Sequence, residues 1–211
     1  MSKKEAFSFA SHFIAAIAAV IATAVLVSLV KGGVVDKLVA LIYGLSVVFL
    51  FSASSLYHAF KKEENGKGIL RRLDHFAIYV MIAGSYTQIC WLYLTGTWFT
   101  VIISLQWAMV LAGIYFKFIR MNTPRIISTL IYLAMGWMVV IPLGQIVTAM
   151  PKVQLMLLVG GGLSYSVGAV FYMLKRPVII KERFGFHEIF HLFIVAGAAF
   201  HFALALTAAL S

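Results

Sequence analysis

The sequence predicts an all-α integral membrane protein, a bundle of seven transmembrane helices with the N-terminus in the cytoplasm and the C-terminus outside. Three observations predict it. The 211 residues are 63% apolar and only 11% charged, with a mean hydropathy of +0.99, whereas soluble domains run near about 25% charged. Seven apolar runs cover roughly 10–30, 38–60, 75–95, 98–119, 126–148, 153–174 and 187–210. The basic residues between the runs alternate in abundance from one connection to the next. The composition excludes a soluble enzyme, a disordered chain and a disulfide scaffold. The lone Cys90 lies in an apolar run and reads as an inert buried thiol.

Each run is near the 20 or so residues that cross about 30 Å of hydrocarbon at 1.5 Å per residue. Helices are the element of choice because lipid leaves no partner for a free backbone N–H or C=O. The first run follows Lys3 and Lys4 and is closed by Lys31; it is too long for a signal-peptide core and reads as a retained span. The second ends before Lys61 and Lys62, and the third follows Arg71 and Arg72. No basic residue separates the third run from the fourth. Pro142 predicts a kink in the fifth run. Gly160, Ser164 and Gly168 on the sixth form a small-xxx-small stripe that predicts close helix packing. His187 opens the seventh.

Lys3, Lys4, Lys61, Lys62, Lys67, Arg71, Arg72, Lys117, Arg120, Arg125, Lys175, Arg176, Lys181 and Arg183 fall on one side of such a bundle; only Lys31, Lys37 and Lys152 fall on the other. Cytoplasmic connections hold the excess of Lys and Arg, which sets the predicted orientation. The same clustering between apolar runs argues against a nucleic-acid surface, despite the net charge of +10. The whole chain, 1–211, reads as one membrane domain without a repeat.

Ionisable residues inside spans are costly and mark function by default. The sharpest group is His187-Glu188-Ile189-Phe190-His191, whose two histidines at i and i+4 share a helix face and suit a metal ion. The pattern also spells a zinc-protease motif with Glu188 as base. However, no Asp or Glu follows position 188, and position 197 is Gly rather than a third histidine. Glu188 lies about 100° around the helix from His187, open to a solvated, supporting or direct chemical role.

The remaining ligand must come from another span. His58 closes the second run at the end where His187 opens the seventh, and Asp74 opens the third run at that same end. Ser54 lies one turn from His58 on the same face, about 6 Å deeper. Three neutral histidines, His58, His187 and His191, leave an open tetrahedral zinc site for water. Asp74 could accept that water's proton, or pair with Arg71 or Arg72. The Ser54 hydroxyl could donate to an oxyanion, or bond back to its own helix. His75 points elsewhere on its helix and reads as an interface residue. His201, about 15 Å deeper than His191, reads as a buried hydrogen-bonded histidine, and His12 as interfacial.

Three segments in order carry a family resemblance: SASSLYHAF with Ser54 and His58, RRLDHFAIYVMIAGSYT with Asp74, and HEIFHLFIVAGAAFHF with His187 and His191. Together they resemble the bacterial hemolysin III family, which belongs with the progestin and adipoQ receptors, including the adiponectin receptors. The resemblance covers nearly the whole chain. It implies a seven-helix bundle inverted relative to G-protein-coupled receptors, with Zn2+ held near the cytoplasmic face by His58, His187 and His191. It also implies that Asp74 and Ser54 stand beside the zinc-bound water. The wider superfamily includes alkaline ceramidases, which implies hydrolysis of a lipid amide or ester, with a membrane lipid as substrate or ligand. The family name implies red-cell lysis. The short segment before the first span, where the animal receptors carry a long cytoplasmic domain, suggests a bacterial inner-membrane protein. Two further functions stay open: a non-catalytic lipid sensor or regulator of membrane homeostasis with structural zinc, and a cytolysin. The last fits poorly, because a self-inserting cytolysin should be secreted and partly soluble.

Overall fold

The computed structural model describes residues 3–61, 68–119, 123–180 and 184–211. Of the basic residues counted above, Lys62, Lys67, Arg120, Lys181 and Arg183 lie outside the described residues, as do the side chains of Lys3 and Lys4. The helices are α1 (Lys3–Leu29), α2 (Val34–Phe60), α3 (Ile69–Tyr93), α4 (Gly96–Ile114), α5 (Arg125–Gly136), α6 (Leu143–Ala149), α7 (Lys152–Leu174) and α8 (Phe186–Leu210). A π-helical turn, Tyr115–Ile119, extends α4, and a 3-10 turn, Trp137–Val140, follows α5. Six helices are long and apolar enough to cross a membrane. The seventh expected span is a broken one: the segment Arg125–Val140 and α6 meet at 58°. The all-α membrane fold is therefore the one observed.

The protein is apolar outside and partly polar inside. Large side chains such as Ile14, Ile21, Leu45, Leu111 and Leu163 are exposed on the helices' outer faces, where lipid would meet them. The interior of the α1–α2–α3–α8 quarter is built from small residues, among them Ala15, Ala16, Ala19, Ala40 and Ala53, with Tyr43 and Phe51 filling between them. Without a hydrophobic drive between helices in lipid, close backbone approach and dispersion contacts hold such packing. The stripe on α7 acts in this way. A Cβ on Gly160 would stand 3.3 Å from the Phe200 ring, and one on Gly168 would collide with Phe193. Ser164 Oγ donates to the Phe193 carbonyl at 2.8 Å.

The break in the fifth span frees backbone groups that lipid cannot satisfy. Tyr86 on α3 meets two of them: its hydroxyl donates to the Gly136 carbonyl at 2.8 Å and accepts from the Val139 N–H at 2.7 Å. Gln106 on α4 donates to the Met135 carbonyl at 2.9 Å. Pro142 foretold a kink; the interruption reaches back from it to Trp137. Two other departures matter for the site. Helix α1 begins at Lys3, seven residues before the expected run, and α3 begins at Ile69, so Asp74 sits in its second turn and not at its opening. A small antiparallel pair, β1 (Val178–Ile180) and β2 (Phe184–Gly185), leads from α7 into α8, unforeseen in the sequence.

Candidate metal centre

His187 and His191 stand one turn apart at the start of α8, and His58 faces them from the last turn of α2. One ring nitrogen from each of the three lies within 4.8 Å of the others. His58 and His191 are buried, at 1% and 2% exposed. The cluster could hold a metal ion, and its geometry fits one. With metal–nitrogen bonds of about 2.0–2.1 Å, the edge of a tetrahedron is about 3.3–3.4 Å, and His58 Nε2 stands 3.3 Å from His187 Nε2.

Glu5 sets the tautomer of His58. Its Oε2 accepts from His58 Nδ1 at 2.6 Å, which leaves the Nε2 lone pair facing the cluster. A carboxylate behind a ligating histidine is a recurrent support, fixing ring orientation and raising ligand basicity. Lys61 Nζ donates to the other carboxylate oxygen, Oε1, at 2.7 Å. Glu5 went unnoticed in the sequence, although a signal was present: Glu5, Ser8 and His12 fall at i, i+3 and i+7, a polar stripe at helical period on an otherwise apolar helix.

That stripe brings α1 over the site. The His12 ring stacks on His191 with centroids 3.7 Å apart and planes at 15°, and it is buried at 3% exposed. The interfacial reading of His12 is thus corrected; it lies inside the bundle. Ser8 Oγ lies 3.5 Å from Glu188 Oε1, and Phe7 meets Phe184 edge to face at 5.1 Å. Glu188 is fully buried and not solvated. Its Oε2 accepts from the Gly185 N–H at 2.8 Å, so it caps the N-terminus of α8 and fixes the turn from which His187 and His191 project.

Ser54 and Asp74 line the same cavity as the three histidines. The two side chains face each other across the α2–α3 contact. Asp74 makes no ion pair within 4.0 Å among the described residues, so the alternative pairing with Arg71 or Arg72 is not formed. His75, expected to point elsewhere, also lines the cavity, and its carbonyl accepts from the Tyr132 hydroxyl at 2.9 Å. His201 is a hydrogen-bonded interior histidine, its Nε2 donating to the Leu158 carbonyl at 3.4 Å.

The cavity has a volume of about 550 Å³. At the histidine end it is walled by Glu5, Lys61, Arg71, Asp74 and Arg125. Toward the opposite end of the bundle its walls are Ile89, Leu143, Ile146, Leu155 and Leu158. One compartment thus joins a cluster of potential ligands to an apolar channel.

The chain matches the family described as "Haemolysin-III related" over residues 1–202. It is 32% identical over 202 residues to "Hemolysin-3" of Bacillus cereus, covering 95% of this chain and 89% of that protein. It is 35% identical over 158 residues to "Hemolysin-3 homolog" of Bacillus subtilis (strain 168), covering 75% and 71%. It is also 30% identical over 183 residues to "Monocyte to macrophage differentiation factor" of Homo sapiens, covering 79% and 68%. With a family match across nearly its whole length and relatives of 30% identity or more covered to two thirds, this chain belongs to the haemolysin-III-related family.

Proposed function

We propose that the protein is a membrane-embedded zinc hydrolase acting on an amide or ester bond of a membrane lipid. The observation that carries this reading is the shared cavity: His58, His187, His191, Asp74 and Ser54 at one end, a channel of aliphatic side chains at the other. A lipid has the same two halves. Three histidines fit zinc's preference for nitrogen ligands with one position left open. A bound zinc ion supplies Lewis acidity and makes water a stronger nucleophile near neutral pH.

The chain's own residues supply the rest. Glu5 and Glu188 hold the ligating histidines in place. The Asp74 carboxylate accepts a proton from the attacking water and returns it to the departing nitrogen or oxygen. The Ser54 hydroxyl donates to the carbonyl oxygen as negative charge develops there. The C–N or C–O bond breaks, water adds across it, and a fatty acid and an amine or alcohol leave. The charge asymmetry supports a cytoplasmic N-terminus, which would turn the histidine end toward the cytoplasm of a bacterial inner membrane.

The test is metal analysis and fatty-acid release by detergent-purified wild type beside Asp74→Ala. We expect about one zinc per chain in both, and release from an N-acyl or O-acyl lipid that falls about 10²–10⁴-fold in the variant. Absence of zinc from wild type prepared without chelators would overturn the reading. Zinc with no turnover of any acyl lipid would turn it toward a non-catalytic lipid sensor with a structural metal.

A further inference from the structure

Beside the histidines, the cavity carries more positive charge than its carboxylates balance. Glu5 is engaged with His58 and Lys61. Arg71 and Arg125 line the same cavity, and Lys117 donates from its Nζ to the cavity-lining Ser128 at 2.7 Å. All three cations lie near His75 of α3. None has a carboxylate within 4.0 Å among the described residues.

Arg125 is the most telling. Its guanidinium lies 4.6 Å over the Tyr172 ring and 5.7 Å from that of Phe186. Stacking occupies the faces of the guanidinium and leaves its N–H edge for an anion. Nη1 on that edge is buried with no hydrogen-bond partner among the described residues. A buried guanidinium N–H without an acceptor is expensive, as are like charges gathered where the dielectric is low. An anion between Arg71 and Arg125 relieves both. The place is one aromatic ring away from the histidine cluster, since the Tyr172 ring is also 6.0 Å from that of His187.

We propose that Arg71 and Arg125 form an anion subsite that receives a phosphate-type group, so that the preferred lipid carries a negatively charged headgroup. Held there, the headgroup leaves the carbonyl near the histidines and the acyl chain in the aliphatic channel. The identification of the ligand as substrate rests on the hydrolase reading; the subsite itself does not.

The experiment is isothermal titration calorimetry on the full chain in neutral detergent. The probes are dioctanoyl phosphatidic acid, dioctanoylglycerol and inorganic phosphate. Proteins are wild type, Arg125→Gln, Arg125→Lys and Arg71→Gln, each checked for monodispersity and helix content. We expect phosphatidic acid to bind at least about tenfold tighter than the uncharged glyceride, and both glutamine variants to lose that preference. Arg125→Lys should keep part of it, because a point charge replaces a two-pronged donor. Equal affinity for the charged and uncharged lipids, or a preference unchanged in well-folded Arg125→Gln, would overturn the subsite. Inorganic phosphate binding as tightly as the lipid, and dependent on Arg125, would support the subsite and assign it to a free anion. Acyl-lipid hydrolysis is followed on the same preparations. Arg125-dependent binding without hydrolysis of any lipid leaves the subsite standing and overturns only the hydrolase reading. Hydrolysis indifferent to headgroup and to Arg125 does the reverse.

Discussion

The two ends of the cavity solve opposite solvation problems within one bundle. At the histidine end, α1, α2 and α8 bring ionisable groups out of water and partner several of them: Glu5 with His58 and Lys61, Glu188 with the α8 N-terminus. At the other end, Ile146, Leu155 and Leu158 need no partner beyond packing, and the walls come from α3, α6 and α7. The polar end is demanding, because an unmet charge in a low-dielectric interior costs several kcal/mol (roughly, per ion). The apolar end is permissive, because aliphatic side chains can be exchanged at modest cost. Changes at the first end should therefore abolish a property, and changes at the second should only tune one.

The largest expected effect is on metal content. His191→Ala should reduce bound zinc from about one per chain to a trace, by metal analysis of protein purified without chelators. Zinc retained at wild-type stoichiometry would mean that the triad is not the site. Next is Glu5→Ala, which leaves all three candidate ligands in place and removes the carboxylate behind His58. Zinc affinity should fall about 10–100-fold in a chelator competition, while helix content is unchanged. An affinity equal to wild type would reduce Glu5 to a surface partner of Lys61.

At the permissive end, Ile146→Trp should leave zinc content alone and shorten the channel. The acyl-chain preference should move toward shorter lipids by about five- to tenfold, read as relative fatty-acid release across a chain-length series. The smallest effect is expected at His201, a histidine outside the triad. His201→Gln should cost about 1 kcal/mol of stability through the bond to the Leu158 carbonyl, with no change in metal content. Loss of zinc there would blur the boundary between the two ends.

Much of this was legible in the sequence, and for definite reasons. Apolar runs of span length identify membrane helices because hydrocarbon demands them. The i, i+4 histidines of α8 declare a shared face without any tertiary knowledge. His58, Asp74 and His187 could be placed at one depth because each lies near the end of a run. Lateral position was not legible: nothing in the runs shows that α1 folds over the site. Reading spans by hydropathy also discards the polar first turns of a helix, which is how Glu5 escaped notice and His12 was assigned to the interface. The roles of Glu188 and the β1–β2 pair depend on how the chain turns into α8, a local geometry without a hydropathy signature. Pro142 located one end of the break in the fifth span, but its other end, near Trp137, is defined by hydrogen bonds from Tyr86 on α3, more than fifty positions earlier.

That last arrangement ties together two parts of the chain that drift would otherwise treat separately. The Tyr86 hydroxyl serves Gly136 as donor and Val139 as acceptor at once. Phenylalanine, the closest replacement in shape, offers neither function. A descendant of this sequence that straightened the fifth span would release Tyr86 to vary, and one that kept the break would not. The residue at 86 and the interruption at 137–142 are expected to vary together or not at all.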